Sequence, residues 1–112
     1  MLNATSANIE RYMDLLSARQ KLAASNIANA DTPGYKAKDI DFQREFANTL
    51  NGEQPLTINA EGLAEKPDGN NVSIDREARM LAENAMRFNV ASALLRGQIN
   101  IVKEAITGGS GS

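Results

Sequence analysis

The chain has 112 residues, a formal net charge of −2 and 42% hydrophobic residues, which is enough apolar material for one small packed domain. Its 12 basic and 14 acidic residues nearly balance, whereas a nucleic-acid-binding protein normally carries a basic surface. The sequence contains neither histidine nor cysteine, so Ser-His-Asp and Cys-His catalysis, disulfides and thiolate zinc sites are excluded. This composition favours a protein that is not an enzyme and that uses no cofactor or metal.

The N-terminus, Met1 to Thr5, lacks the basic and apolar regions of a secretory signal peptide. No apolar run reaches the roughly 18 residues that a membrane span requires. The amphipathic stretches described below carry mixed charges rather than the basic polar face of a membrane-surface helix. We therefore expect no direct membrane insertion.

The first part of the chain, residues 1–31, predicts an amphipathic helix from about Thr5 to Ala30, because its apolar residues alternate four and three positions apart. Asn3, Thr5 and Ser6 are the candidate N-caps. Asp31-Thr32-Pro33-Gly34 should end the helix, because a residue before proline avoids the helical conformation. The stripe expected to face a partner helix consists of Ile9, Met13, Leu16, Ala23 and Ile27, with a polar interruption at Gln20.

A second helix is predicted from Asp75 to Thr107, with Ser73 or Asp75 as the cap and Gly108-Gly109 as the end. Its main stripe has the same alternating spacing and consists of Ile74, Ala78, Leu81, Ala85, Phe88, Ser92, Leu95, Ile99, Val102 and Ile106. Gly97 interrupts this helix. It either marks the close approach of a neighbour or is simply tolerated.

A further apolar stripe appears only in the later half of the second helix and consists of Met86, Val90, Leu94, Ile101 and Ala105. One stripe is sufficient to pair this helix with the first helix. The other must be covered by more of this chain or by another subunit. Because the chain offers only one other long helix, we favour other subunits.

The predicted fold is mainly α: an antiparallel, coiled-coil-like hairpin of residues 1–31 and 73–107. The connecting segment, residues 32–72, is expected to be irregular and partly disordered. The C-terminal residues, 108–112, are expected to form a flexible tail.

Within the connecting segment, Phe42, Phe46 and Leu50 are spaced four apart and predict a short helix over 41–50, capped by Asp39 or Asp41. The residues that follow, 51–71, are rich in turn formers and predict a flexible loop. In this loop only Leu56-Thr57-Ile58 has an extended pattern.

The connecting segment also contains the only acidic pair that suggests a metal site, Asp39 and Asp41. No other ligands at metal-site spacing accompany them. We therefore interpret both as capping or solvated carboxylates, neutralised by Lys36 and Lys38. The stretch Asp68-Gly69-Asn70-Asn71 lacks the spaced ligands of a calcium loop and is interpreted as a turn.

One stretch, Ser25 to Lys36, is an unusually small and polar helix end, in which Asn26 and Asn29 lie on one face. Taken alone, it predicts a well-capped helix terminus. It also resembles the N-terminal signature of the bacterial flagellar rod, hook and hook-filament axial proteins. The residues that carry the resemblance are Asn26, Ile27, Ala28, Asn29, Thr32, Pro33, Gly34 and Tyr35.

Further stretches extend the resemblance. Ala37 to Phe42 continues the signature in the manner of the proximal-rod members. Three stretches are similar to their C-terminal helix: Asn71 to Glu77, Leu81 to Asn84 and Arg87 to Asn89. The chain departs from the family in a shorter middle loop and in Asp31, which stands where asparagine is common.

The resemblance implies a structural subunit of the flagellar basal body, exported by the flagellar type III apparatus and located in the rod on the periplasmic side. It implies contacts with other copies and other rod proteins, with the adaptor FliE and with the export gate. In such an assembly, Met86, Val90, Leu94 and Ile101 would face neighbouring subunits. The alternative is a helical-hairpin adaptor or export chaperone that does not polymerise.

Overall fold

A computed structural model describes residues 4–48 and 55–111, with side chains described as far as residue 108. In chain order its elements are α1 (Ala4–Ala28), β1 (Lys38–Ile40), α2 (Phe42–Asn48), β2 (Thr57–Asn59) and α3 (Ile74–Gly111). The predicted fold class is confirmed: the chain is mainly helical, with two long terminal helices and an irregular middle that contains little strand.

The two long helices pack side by side in opposite directions, and three polar contacts mark their register. Asn26 near the end of α1 meets Glu77 at the start of α3. Halfway along, the Asn84 amide donates to the backbone oxygen of Leu16 over 2.8 Å. Further out, Arg87 lies 3.4 Å from the Tyr12 hydroxyl.

The stripe of α3 that packs on α1 differs from the predicted one at every second position. Leu81 and Leu95 are half-buried as predicted, but Phe88 is 37% exposed, and the buried residues of the stripe are Glu77, Asn84 and Ala91, not the predicted Ala78, Ala85 and Ser92. Ala78 and Ala85 are exposed. The prediction followed apolar residues, whereas the helix is turned so that polar Glu77 and Asn84 face α1, where their hydrogen bonds compensate for burial.

On α1 the predicted stripe is closer to the observed one. Leu16 and Ala23 are buried and Gln20 is exposed. Ile9, Met13 and Ile27 are half-buried.

The outer part of α3 extends past α1. The contacts place Leu16 near Asn84 and Tyr12 near Arg87. Because both helices rise by the same distance per residue, Ala4, the first described residue of α1, lies opposite about residue 96 of α3. The segment from Gly97 onward therefore lies beyond the position opposite Ala4, and we call residues 97–108 the overhang. Ile99 and Ile106 are exposed there, so the prediction that Ile99 packs on α1 is wrong.

Several predicted helix ends shift. Thr5 and Ser6 lie inside α1 rather than before it, and Asn3 lies outside the described residues. The predicted continuation of α1 to Ala30 is wrong, because backbone bonds from Asn29 and Ala30 close a turn after Ala28.

At the other helix, Ser73 is the N-cap of α3: its Oγ accepts from the Arg76 N–H at 3.2 Å. The predicted end of α3 at Gly108-Gly109 is also wrong, because the helix continues to Gly111. Glycine costs a helix only about 1 kcal/mol per residue, which a long helix tolerates.

The connecting segment is more structured than predicted. β1 and β2 form an antiparallel pair with Asp39 opposite Ile58, and the Glu45 carboxylate of α2 accepts from the Leu56 N–H at 3.1 Å. The flexible loop expected over 51–71 is therefore a hydrogen-bonded arrangement in residues 55–71. Residues 51–54 lie outside the described residues.

The short helix is α2, begun by Asp41, whose side chain accepts from the Arg44 N–H. Leu50, the predicted end of that helix, lies outside the described residues. A small apolar cluster of Ala30, Ala37 and Val72 lies under the segment.

Candidate assembly surfaces

The end of α1, the turn after it, β1 and the start of α3 meet at Asn26, and we call this region the signature junction. Asn26 is fully buried. Its Nδ2 donates to the Lys38 backbone oxygen and to Glu77 Oε1, each at 2.9 Å. Its Oδ1 accepts from the Lys38 N–H at 3.0 Å and from the Tyr35 hydroxyl at 3.1 Å. The Asn26 amide thus joins α1, β1 and α3 through hydrogen bonds, which fix the orientation of the groups they connect.

A charged cluster lies beside Asn26. Arg19 donates to both oxygens of Asp39, at 2.9 and 3.0 Å, and Arg76 donates to Asp39 Oδ2 at 2.7 Å. Arg76 also bridges to the buried Glu77 at 2.6 Å. Arg19 and Arg76 therefore pair with the carboxylates of Asp39 and Glu77, both of which are largely buried.

The pKa of Asp39 reflects two opposing effects, burial and the interactions with its donors and charged neighbours. Burial by itself raises this pKa, but the hydrogen bonds from Arg19 and the Ile40 N–H, together with the charges of Arg19 and Arg76, outweigh burial. The net result is a pKa below the ordinary value of an aspartate. The expected roles for Asp39 as a helix cap or as a carboxylate neutralised by Lys36 and Lys38 are therefore wrong.

The turn after α1 is fastened by two asparagines of the segment before α3. The buried Asn70 donates to the backbone oxygens of Asn29 and Thr32, at 2.9 and 2.8 Å. Asn71 accepts from the Ala37 N–H at 2.7 Å. The turn thus has its backbone groups satisfied by side chains that lie more than thirty residues away in sequence.

The predicted signature residues lie in the junction, at the end of α1 or in the turn that follows. Asn26 and Tyr35 take part in the junction, and Asn29 caps α1 by donating to the Ser25 oxygen at 2.9 Å. Gly34 has a φ of 74°, a left-handed conformation that glycine adopts without strain. The remaining signature residues shape the helix end and the turn: Ile27 is half-buried, and Ala28, Thr32 and Pro33 are exposed.

The second feature is apolar and open. Met86, Val90, Leu94 and Ile101, expected to contact other subunits, are all exposed; Met86 reaches 69% and Leu94 57%. Beside them, a groove of about 540 Å³ runs between α1 and α3. The groove is lined mainly by Ile9, Tyr12, Phe46, Val90, Ala91 and Leu94. Edge-on contacts of Tyr12 with Phe42 and Phe46 hold α2 against its rim.

Most of the partners in the junction were missed by sequence reasoning. The sequence does not single out Arg19, it gives Arg76 and Glu77 only as part of the stretch from Asn71 to Glu77 that resembles the family, and it predicts Asn70 as a turn residue. One signal was present: Glu77, Asn84 and Ala91 are seven residues apart, the spacing of a single heptad position. Polar residues at such a position specify register in helix pairs.

The sequence profile described as "Flagella basal body rod protein" matches residues 13–36, which include the later half of α1 and the signature turn. The FlgB flagellar basal body rod protein of Bacillus subtilis is 30% identical, over 97% of this chain and 98% of its own length. The chain belongs to the FlgB family of flagellar basal body rod proteins. The FlgB proteins of Escherichia coli and Cereibacter sphaeroides are 32% and 37% identical, over 90% and 84% of this chain.

Membership of the FlgB family confirms the resemblance read from the signature and places the chain among structural components of the basal body rod. No helix within residues 4–48 and 55–111 combines the length and apolar character needed to cross a membrane. The same residues contain no group of three acidic side chains arranged to hold a metal ion.

Proposed function

We propose that this chain is a non-enzymatic subunit of the proximal rod and that the exposed flank of α3 packs on neighbouring rod subunits. The observation that carries the proposal is that Met86, Val90, Leu94 and Ile101 remain exposed on a helix whose other side already packs on α1. An apolar surface of this kind is stabilised by burial against a partner at roughly 25 cal/mol per Å².

In this proposal the rod subunits surround the export channel, transmit torque and link the base of the flagellum to the rest of the rod. The partners are other copies, other rod proteins, the adaptor FliE and the export gate, and the chain reaches its place through the flagellar type III apparatus. These details follow from the family resemblance. The rigid signature junction supports them, because a subunit that transmits force needs its segments held at fixed angles.

A structural role also agrees with the state of the acidic residues. Asp39 is engaged by two arginines and its pKa is held low, so its carboxylate is poorly suited to donate or accept protons near neutral pH. Asp41 begins α2.

The proposal is tested by deleting the gene in its flagellated host and examining isolated basal bodies by electron microscopy. We expect rings without a rod, restored by the intact gene but not by a Leu94→Asp/Ile101→Asp variant. The matched control is Ala85→Asp/Asn89→Asp, which adds the same two charges at exposed positions on the other flank of α3. The control should restore rods.

Complete rods in the deletion strain would overturn the proposal and favour the non-polymerising adaptor. Rods restored equally by both double variants would show that the exposed flank is not an assembly surface. Soluble expression and helical circular dichroism of each variant establish that the protein folds.

A further inference from the structure

We propose that the outer edge of β2 is a docking site for one extended segment of a partner protein, which adds to the sheet as a third strand. The segment is uncharged and carries apolar side chains at alternate positions. This site lies in the connecting segment, not on the exposed flank of α3, and its occupant is another protein rather than another copy. The inference therefore goes beyond the proposed function.

The register of the sheet directs the backbone groups of two β2 residues outward. The Lys38 N–H and carbonyl oxygen bond to Asn26, on the side of β1 that faces away from β2. Asn59 lies opposite Lys38, so its backbone groups also point away from the strand pair. Thr57, two residues earlier, has the same direction. The outer edge of β2 thus presents two N–H donors and two carbonyl acceptors.

These outward groups are open. Within residues 4–48 and 55–111, no group bonds to the outward N–H or carbonyl oxygen of Thr57 or Asn59. All three residues of β2 are exposed, so the edge is accessible. The Leu56 N–H has the opposite direction and donates to the Glu45 carboxylate. The fold therefore pairs the inward groups of this segment and leaves the outward groups for a partner.

The side chains beside the edge indicate the chemistry of the added strand. Sheet edges are usually protected by charged residues, which prevent another strand from pairing, but residues 55–60 contain no charge. Leu56 and Ile58 lie on one face and are 58% and 40% exposed. An apolar strand buries them, whereas a charged strand loses hydration there. Pro55 has no N–H, so the open edge begins at Thr57 and the docked strand is short.

The occupant is not β2 of a second copy. Two β2 edges would pair about a two-fold axis, whereas subunits of a rod repeat in one direction from its base. β1 of a second copy is closed as well, because the Asn26 amide bonds to its outer side. Among the described strands a copy therefore offers no donor. This choice of occupant rests on the proposed function, whereas the open edge does not.

Because the chain contains no cysteine, a test strand can be attached at one chosen position. We would join full-length Glu61→Cys, at an exposed position just after β2, by a disulfide to a synthetic peptide. The peptide has a glycine linker and about eight alternating threonine and valine residues, an ordinary strand length. Tethering raises the effective concentration of the short strand to roughly millimolar. The control peptide has glutamate in place of each valine.

Amide hydrogen exchange, followed by NMR, reports on each outward N–H separately. We expect the valine peptide to slow exchange at Thr57 and Asn59 about tenfold or more, relative to Glu61→Cys with its thiol capped. The Ile58 N–H faces β1, so its exchange should change less. The glutamate peptide should leave these exchange rates nearly unchanged.

Two pairs of matched variants connect this protection to the edge. Leu56→Lys places a charge beside the edge and should abolish the protection, whereas Ala64→Lys adds the same charge at an exposed position beyond the strand and should retain it. Thr57→Pro removes one outward N–H, and Thr57→Val keeps it. In the deletion strain, Thr57→Pro should restore rods in about a tenth as many basal bodies as Thr57→Val. Circular dichroism checks the fold of each variant.

Unchanged exchange at Thr57 and Asn59 with the valine peptide would overturn the proposal, as would equal slowing by the glutamate peptide. Slowing that grows with protein concentration in the absence of peptide would identify a second copy as the occupant and would also overturn it. Equal restoration by Thr57→Pro and Thr57→Val would show that no partner strand docks in the cell. If the peptide fails while Leu94→Asp/Ile101→Asp still prevents rod formation, only the docking site is wrong and the proximal-rod function stands.

Discussion

At the signature junction, Asn26 is fully buried and makes four hydrogen bonds within the chain, whereas Ile106 on the overhang is 71% exposed. The first region uses directional contacts between elements far apart in sequence. The second presents apolar side chains whose stabilisation depends on an added partner. Hydrogen bonds fix angles, and apolar burial is non-directional. The junction geometry is therefore set within the monomer, and in the proposed assembly the apolar surface of α3 is buried only between subunits.

The largest expected effect comes from breaking the junction at its centre. Asn26→Ala removes all four hydrogen bonds and leaves the buried Glu77 and the Lys38 backbone groups with fewer partners. We expect a loss of about 2–4 kcal/mol in the free energy of unfolding, measured by urea denaturation. The matched change is Asn29→Ala, which removes a half-exposed helix cap and should cost about 1 kcal/mol or less. Equal losses would show that Asn26 does not organise the junction.

A smaller loss of stability is expected from removing only the negative charge of Asp39. Asp39→Asn leaves the shape intact but weakens the bonds to Arg19 and Arg76, and should lower the free energy of unfolding by about 1–2 kcal/mol at pH 7. Because the pKa of Asp39 is lower in the folded state than its ordinary value of 3.8, its contribution is present above 3.8 and is lost as the pH falls through the folded pKa.

The pH dependence sharpens this prediction. Urea denaturation at several pH values between 7 and 2 should show wild-type stability falling at acid pH and the gap to Asp39→Asn closing there. A gap that stayed constant below pH 3 would mean that the cluster does not act through the ionised carboxylate. Asp31→Asn, at an exposed position, serves as the control and should show no gap.

The smallest expected effect is at Gly97, where the overhang begins, and it is a gain in stability rather than a loss. A Cβ built on Gly97 meets nothing within 4 Å in this chain, so Gly97→Ala should stabilise the isolated protein by about 0.5–1 kcal/mol. Thermal unfolding monitored by circular dichroism measures this gain. If a neighbour approaches closely at Gly97 in the rod, the same variant should restore rods less well than the intact gene. Full restoration would mean that the glycine is merely tolerated.

The long helices and the turn could be predicted because their signals are local. Heptad spacing, Ser73 and the Thr32-Pro33-Gly34 turn act over a few residues. The rotation of α3 could not be predicted in the same way. It depends on Glu77 and Asn84 finding partners on α1, and counting apolar residues favours the neighbouring stripe instead.

The junction was predicted only through Asn26, Asn29 and the turn. The roles of Arg19, Asn70 and Arg76 arise from contacts that span 20 to 41 residues, which no local pattern encodes. The strand β1 was missed for the same reason: three residues next to a turn become a strand only because β2 pairs with them.

The Asn26 amide has a consequence for unwanted association. It bonds the Lys38 N–H and carbonyl oxygen on the side of β1 opposite to β2, the position that another strand would take. Of the two described strands, only β2 therefore keeps an outer edge, and two such edges can pair with each other but cannot continue into a longer sheet. Amyloid-like stacking requires two open edges on every molecule. A single side chain thus closes one edge of this two-stranded sheet to further strand pairing.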